Sequence, residues 1–243
     1  MAADGEARPQ PVALSIVYPD QLSRDLNLPL LGIVVKFFLA LPAAIIVAVL
    51  RPGSLAGLGE TVEPLDNAIV AVSVLVFLLY LMGPVGILFT GHYPRPVFDF
   101  VVAVQRIDAR VTAYLASMTD HYPSPSFEED PRDAAKLTIA YAEELNRFLN
   151  FPIVGFVIKL VLCIPHLLLL IFALVVSFAL IFLAQFAILF SGRFPPGMFR
   201  FCAGTFQYQY RIFAFIYHLS DRYPPFSFLP DKPQPALDPP PVL

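Results

Sequence analysis

The sequence contains the same unit twice. Leu14 to Pro42 aligns without a gap on Leu137 to Pro165 at an offset of 123 residues, and Thr90 to Phe127 aligns on Ser191 to Phe228 at an offset of 101. This repeat constrains the fold before any other feature, because each copy must contribute an equivalent piece of structure. The first copy has a loop at 51–67, and the 22-residue difference between the two offsets arises in this region. The identical pairs include Tyr18 and Tyr141, Arg24 and Arg147, Asn27 and Asn150, Lys36 and Lys159, Arg110 and Arg211, and Asp120 and Asp221.

The composition places the two copies in a membrane. Mean hydropathy is +0.69, and only 14% of the residues are charged, whereas about 25% are charged in an ordinary soluble domain. A net charge of -3 gives no reason to expect nucleic acid as a partner. Cys163 and Cys202 have neither disulfide-framework nor zinc-site spacing, so we expect both to be packing residues.

Three apolar stretches are long enough to cross a bilayer. Leu28 to Leu50 and Ala68 to Thr90 are 23 residues each, enough to cover the roughly 30 Å of hydrocarbon at about 1.5 Å per residue. Phe151 to Phe190 is 40 residues with Lys159 as its one charge, so we expect two crossings with a turn near 170–175. That turn has no Gly, Asn or Pro, so either its loop is very short and apolar or the hairpin does not reach the far surface. The prediction is an all-α integral membrane protein with four transmembrane helices, arranged as two tandem hairpin repeats.

The basic residues predict the orientation. Outside the predicted spans, Arg51 is the one basic residue expected on the far side, and the others precede the first span, lie between the second and third, or follow the fourth. By the positive-inside rule both termini and the central linker are cytoplasmic. Each half then has an even number of spans, so we expect the halves to be related by a pseudo-two-fold axis along the membrane normal.

A segment with one polar and one apolar side follows each hairpin. Pro96 and Pro196 stand where helices can begin, since proline is tolerated in a first turn. The polar sides carry Asp99, Arg106, Arg110 and Ser117 in the first copy, and Arg200, Gln207, Arg211 and His218 in the second. This pattern is typical of helices in the membrane interface, so we expect one amphipathic interfacial helix after each hairpin.

The segments before the hairpins fit more than one structure. Leu14 to Tyr18 and Leu137 to Tyr141 alternate weakly and could be short strands. The second also fits the start of an amphipathic helix from Arg132 to Leu149, which we favour, and the first stays undecided.

The predicted division is a disordered N-terminus at 1–13, membrane repeat 1 at 14–127, a charged linker at 128–136, membrane repeat 2 at 137–228 and a proline-rich disordered tail at 229–243.

Short motifs recur in both copies. The first copy has Arg24, Lys36, Leu41-Pro42, Gly91-His92-Tyr93-Pro94, Phe98 and Tyr122-Pro123, and the second has Ile164-Pro165-His166, Gly192-Arg193-Phe194-Pro195, Phe199 and Asp221-Arg222-Tyr223-Pro224-Pro225-Phe226. Together they resemble a bacterial membrane family catalogued as a domain of unknown function, family 4389. The resemblance covers nearly the whole chain outside the tails and linker, and it implies a multi-pass protein of the bacterial cytoplasmic (inner) membrane. The family has no assigned catalytic or binding residues, so the resemblance implies no chemistry. Ala43 stands where the second copy has His166, so the two halves differ there.

Lys36 and Lys159 are the candidate lipid-binding residues. Each lies about eight residues, or roughly 12 Å, from the cytoplasmic start of its span, and an ionisable residue within a span is a functional candidate by default. Two interpretations stay open. The lysines anchor the helices by reaching outward to the headgroups, or together with Arg24 and Arg147 they form two pseudo-symmetric sites for anionic lipid.

His166 is the one histidine within a predicted span, next to Pro165. An intramembrane histidine can ligate haem or a chlorin, which makes His166 a candidate cofactor ligand. No second histidine lies in a facing span, so a hydrogen-bonding or helix-contact role is the alternative. The other histidines have no metal-ligand spacing, and we expect no cofactor and no metal.

The sequence favours a non-enzymatic role, since it carries none of the usual catalytic or nucleotide-binding signatures. We expect an integral membrane scaffold or accessory subunit of a larger complex. Its partners would be membrane lipids, anionic ones among them, and other membrane proteins, with no nucleic acid. Two alternatives stay open: a membrane-shaping hairpin protein that wedges 151–190 into one leaflet, and a lipid or small-solute carrier with a site between the repeats.

Overall fold

A computed structural model describes residues 11–52 and 66–228. Three of its helices are long and apolar enough to cross a membrane, by length and composition alone. The predicted apolar helices of the first copy are confirmed as helices, whereas four separate membrane-crossing helices are not found in the described ranges. The elements are β1 (Val12–Ile16), α1 (Leu31–Leu50), α2 (Asp66–Thr90), α3 (Arg95–Leu115), β2 (Ala135–Ile139), α4 (Val154–Ser191) and α5 (Pro196–Ile216).

The predicted turn at 170–175 is wrong, because α4 is one helix of 38 residues. The residues at this point are all apolar and compatible with a helix, and none of them favours a chain reversal. The second copy therefore has a single long helix where the first copy has two separate helices, α1 and α2.

The segments before the apolar helices are strands, so the favoured helix from Arg132 to Leu149 is wrong. β1 and β2 pair antiparallel, with Leu14 opposite Leu137. Each strand is only five residues long and finds its partner in the other copy, so no local pattern could settle the choice. β1 begins within the predicted disordered N-terminus and β2 within the predicted linker. Residues 1–10 and the predicted disordered tail lie outside the described residues.

Helices α3 and α5 form the middle layer of the molecule. On one side β1 lies along α5 and β2 along α3, and on the other side α4 packs on α5 while α1 and α2 pack on α3. Both helices begin where the prolines predict, but most of their side chains are buried in protein, so they are not the predicted interfacial helices. An amphipathic pattern reports an apolar partner without distinguishing lipid from other helices.

The segment at the beginning of each half forms hydrogen bonds to the interhelical turn of the other half. These turns join α2 to α3 and α4 to α5. The hydroxyl of Tyr18 donates to the carbonyl of Phe194 at 2.5 Å, and the Leu22 amide donates to the carbonyl of Gly192 at 2.9 Å. The second copy repeats both bonds, from Tyr141 to Tyr93 at 2.6 Å and from Leu145 to Gly91 at 2.9 Å. The two repeats therefore form one folded unit.

Candidate functional site

The ammonium group of Lys36 lies in a buried polar cluster between α1 and the segment after α3. Its Nζ donates to Asn27 Oδ1 at 2.7 Å, to the Thr119 carbonyl at 3.2 Å and to Asp120 Oδ1 at 3.2 Å. The side chain is fully buried, and its Nζ lies 5.0 Å from the centre of the Tyr114 ring. All three donors of the ammonium group are thus used within the protein.

The second copy builds the same cluster around Lys159. Its Nζ donates to Asn150 Oδ1 at 2.7 Å, to the Ser220 carbonyl at 3.3 Å and to Asp221 Oδ1 at 3.4 Å. His218 is an addition, because its Nδ1 donates to Asn150 Oδ1 at 2.9 Å where the first copy has Ser117. Burial, and then the charge of Lys159, lower the pKa of His218 to about 3, so this imidazole is neutral at physiological pH.

A strained turn positions each asparagine beneath its lysine. Leu30 and Ile153 both have φ near +65°, and the following amides donate back across them to Pro29 and Pro152, the rare and strained form of γ-turn. Gly32 follows immediately, and a Cβ on it would lie 2.6 Å from the Leu26 carbonyl oxygen. The tight start of α1 thereby brings the Asn27 turn against the helix, and α4 begins in the same way.

Arg24 and Arg147 do not join their lysines in an open site. Both side chains are exposed, and each guanidinium lies beside the left-handed glycine of the other half, Arg24 at Gly192 and Arg147 at Gly91. The arginines therefore stand at the C-terminal ends of α4 and α2, where a positive charge is favoured. Lipid binding by these four residues stays a prediction, and within the described structure the two lysines have protein partners already.

His166 lies in an aromatic cluster between α4 and α5. Its Nδ1 is 2.5 Å from the Tyr208 hydroxyl, and its ring stacks on Phe226 with centroids 3.9 Å apart. Nε2 has no partner among the described residues, in which no group of three or more His, Cys, Asp or Glu could hold a metal. Ligation of a cofactor by His166 stays a prediction.

An apolar groove lies between α2 of the first half and helices α4 and α5 of the second half. Its volume is about 400 Å³, and it is bordered by Phe77, Tyr80 and Pro84 of α2 and by residues at the start of α4 and the end of α5. The remaining lining includes Ile153, Phe156, Phe213, Tyr217 and His218. His218 links this groove to the Lys159 cluster, and the buried Tyr80 hydroxyl has no partner in the described part of the chain.

Sequence reasoning missed the partners of the two lysines. Asn27 and Asn150 repeat at the first offset, and Asp120 and Asp221 repeat at the second. A polar residue kept in both copies of an apolar protein was the available signal. It did not show that residues from the two separate alignment blocks meet.

The comparison with protein families supports the duplicated architecture. A family model described as Domain of unknown function (DUF4389) matches residues 68–126 and 154–227, which together are more than half of the chain. The chain belongs to this family. The two DUF4389 segments correspond to α2 with α3 and to α4 with α5, which confirms that the family is present in two copies. No curated protein and no solved structure matches the chain.

Proposed function

We propose that this DUF4389 protein is a non-enzymatic integral membrane scaffold or accessory subunit of a larger complex in the bacterial inner membrane. The observation that carries the proposal is the apolar surface of α1, α2 and α4. Soluble monomers rarely expose large contiguous apolar patches. On α4 the exposed side chains include Leu168, Ile171, Phe172, Val175, Phe178, Leu183, Phe186 and Phe190.

The polar clusters support a structural role over a catalytic one. Lys36 and Lys159 bind residues of neighbouring elements and keep no donor for a substrate. Asp108 likewise accepts from Arg51 at 3.2 Å and from the Tyr210 hydroxyl at 2.9 Å, which joins the end of α1 to α3 and α5. Each cluster thus holds elements together.

Photo-crosslinking in the native membrane tests the scaffold role. A photoreactive amino acid at the exposed Phe172 should give an adduct with one discrete membrane protein, whereas the same group at the buried Leu170 should not. Adducts with lipid alone at Phe172, Leu183 and Leu78 would contradict a role as a subunit.

The groove between the halves favours a second candidate function, a carrier for lipid or a small apolar solute. Its volume lies within the usual range for ligand pockets, roughly 300–1,000 Å³, and its lining is largely apolar with polar groups from Tyr80 and His218. Leu81→Trp should fill the groove and reduce co-purified lipid, whereas Leu75→Trp on the exposed face of α2 should not. Equal lipid content in both variants would eliminate this candidate.

A further inference from the structure

The middle helices α3 and α5 run antiparallel to each other. The Leu22 amide donates to the carbonyl of Gly192, just before α5 begins. The amide of the next residue, Ser23, donates to Asp120 Oδ2, just after α3 ends. The second copy repeats this, because Leu145 binds Gly91 and Asn146 donates to Asp221 Oδ2. The start of each middle helix therefore lies beside the end of the other.

This arrangement fixes the direction of the pseudo-two-fold axis. Leu14 and Leu137 are equivalent residues and face each other in the sheet, so the axis passes between them, perpendicular to the sheet. Antiparallel helices exchanged by a two-fold axis also lie across it. The axis therefore runs through the layers, from the sheet past α3 and α5 to the apolar helices.

Helices α4 and α1 lie across the same axis, and α2 is expected to do so because its end at Thr90 aligns in the repeat with the end of α4 at Ser191. Lys159 of α4 meets Asp221 beyond the end of α5, and Ser177 further along α4 meets Cys202 near the start of α5, so α4 is antiparallel to α5. The salt bridges from Lys36 to Asp120 and from Arg51 to Asp108 make α1 antiparallel to α3 in the same way.

A membrane-crossing α4 would put the sheet in the wrong solvent. If α4 stood upright, the axis would lie in the membrane plane and the sheet would sit near the middle of the bilayer. The outer face of the sheet carries the exposed Ser15, Lys136 and Thr138, and the neighbouring linker carries Glu129 and Arg132. Each charge at that depth costs about 2.5–3.5 kcal/mol on insertion scales.

The length of α4 also opposes a crossing. Its 38 residues span about 57 Å, whereas the hydrocarbon core is about 30 Å thick. Apolar side chains are exposed over this whole length, from Val154 at 53% to Phe190 at 79%. Fitting them into the core would need a tilt of about 60°, outside the observed range of roughly 0–40°.

We propose that α1, α2 and α4 lie in the plane of the bilayer and bind the acyl chains of the cytoplasmic leaflet only. The pseudo-two-fold axis then runs along the membrane normal, and the sheet and linker face the cytoplasm. A helix with its side chains is about 10–12 Å across, so one layer of helices fits within one leaflet. Arg24 and Arg147, at the ends of α4 and α2, are placed to contact anionic headgroups. This inference rests on the proposed membrane role and replaces the multi-pass topology expected from the sequence.

Tryptophan depth measurements test the inference, because the natural chain contains no tryptophan. Val161, Phe172 and Phe190 are exposed and lie on one face of α4, since their separations are close to whole numbers of turns. Each is replaced singly by Trp, and quenching is measured in vesicles whose lipids carry bromine at a shallow or a deep position. Thr138→Trp on the outer face of the sheet is the matched control.

The in-plane arrangement predicts the same shallow-to-deep quenching ratio at all three α4 positions and no quenching of Thr138→Trp. A crossing helix would instead give different depths along α4 and would place Thr138→Trp near the bilayer centre, which would overturn the inference while leaving the membrane role intact. Absence of quenching at every position would overturn both.

Labelling from each side of the membrane gives a second readout. Ser54→Cys lies in the loop that the sequence predicts to be on the far side, and Ser126→Cys lies next to the linker. A membrane-impermeant maleimide should modify both from the cytoplasmic side, and Cys163 and Cys202 are buried and serve as the internal background. Modification of Ser54→Cys only from the opposite side would overturn the single-leaflet arrangement.

Discussion

At the scale of single residues, the two buried lysines connect the apolar helices to the rest of the molecule. Their side chains are fully buried, whereas the side chains of the partner residues Asp120 and Asp221 keep about a quarter of their surface exposed to solvent. Removing one member of a buried pair leaves the other without compensation, which is more costly than the pair is stabilising.

Lys159→Met should therefore lower the free energy of unfolding by on the order of 3 kcal/mol. Thermal unfolding in mild detergent measures the change. Arg95→Met is the matched control, because Arg95 forms an exposed pair with Asp99 and such pairs contribute about 0–1 kcal/mol. Equal effects of the two substitutions would contradict a structural role for the Lys159 cluster.

His218 should make stability depend on pH. Its pKa is about 3 in the folded protein and about 6.5 for an ordinary exposed histidine, so between these values the unfolded chain binds the additional proton. The contribution is complete above pH 6.5 and is lost as the pH falls, by at most about 1.4 kcal/mol per pH unit.

Unfolding between pH 7 and pH 5 should show this slope in the natural chain and a flatter one in His218→Asn. Asparagine suits the left-handed backbone at this position and does not titrate. An unchanged slope in His218→Asn would refute the assignment.

At the scale of elements, the segment after α5 is held against that helix by close backbone contact. A Cβ on Gly204 would overlap the carbonyl oxygen of Phe228, whereas a Cβ on Gly197 in the same helix would meet nothing within 4 Å. Gly204→Ala should cost about 1–3 kcal/mol, and Gly197→Ala should be neutral or stabilising by up to about 1 kcal/mol. Melting temperatures of the two variants provide the comparison, and a neutral Gly204→Ala would contradict the contact.

Which elements the sequence predicts depends on how local their causes are. The helix starts near Pro96 and Pro196 and the apolar helices follow from nearby residues, and the structure has them. The continuity of α4 was missed because an apolar stretch of 40 residues is long enough for two bilayer crossings, although the absence of turn-forming residues at 170–175 favoured one helix. The pairing of Leu14 with Leu137 depends on a contact across more than half of the chain, which periodicity does not report.

At the scale of the whole molecule, the turn at Gly91 or Gly192 in each half is hydrogen-bonded by residues of the other half. Tyr18 and Leu22 bind the second copy, Tyr141 and Leu145 bind the first, and β1 pairs with β2. The sheet, the helix turns and both middle helices therefore depend on both halves being present.

A chain divided after Pro131 should fold only when 1–131 and 132–243 are produced together. The two fragments should then co-purify in detergent with the helix content and melting behaviour of the intact chain. Neither fragment should be stable as a monomer alone, and a well-folded monomeric fragment would contradict the interdependence of the halves.

The reciprocal closure of the turns at Gly91 and Gly192 also bears on origin. A precursor carrying one copy would have lacked the arm that completes its bend, and it could have obtained that arm only from a second identical chain. Exchange of identical arms produces closed symmetric pairs. Gene fusion would then have joined two subunits of a homodimer and freed them to diverge, as Ala43 and His166 have done.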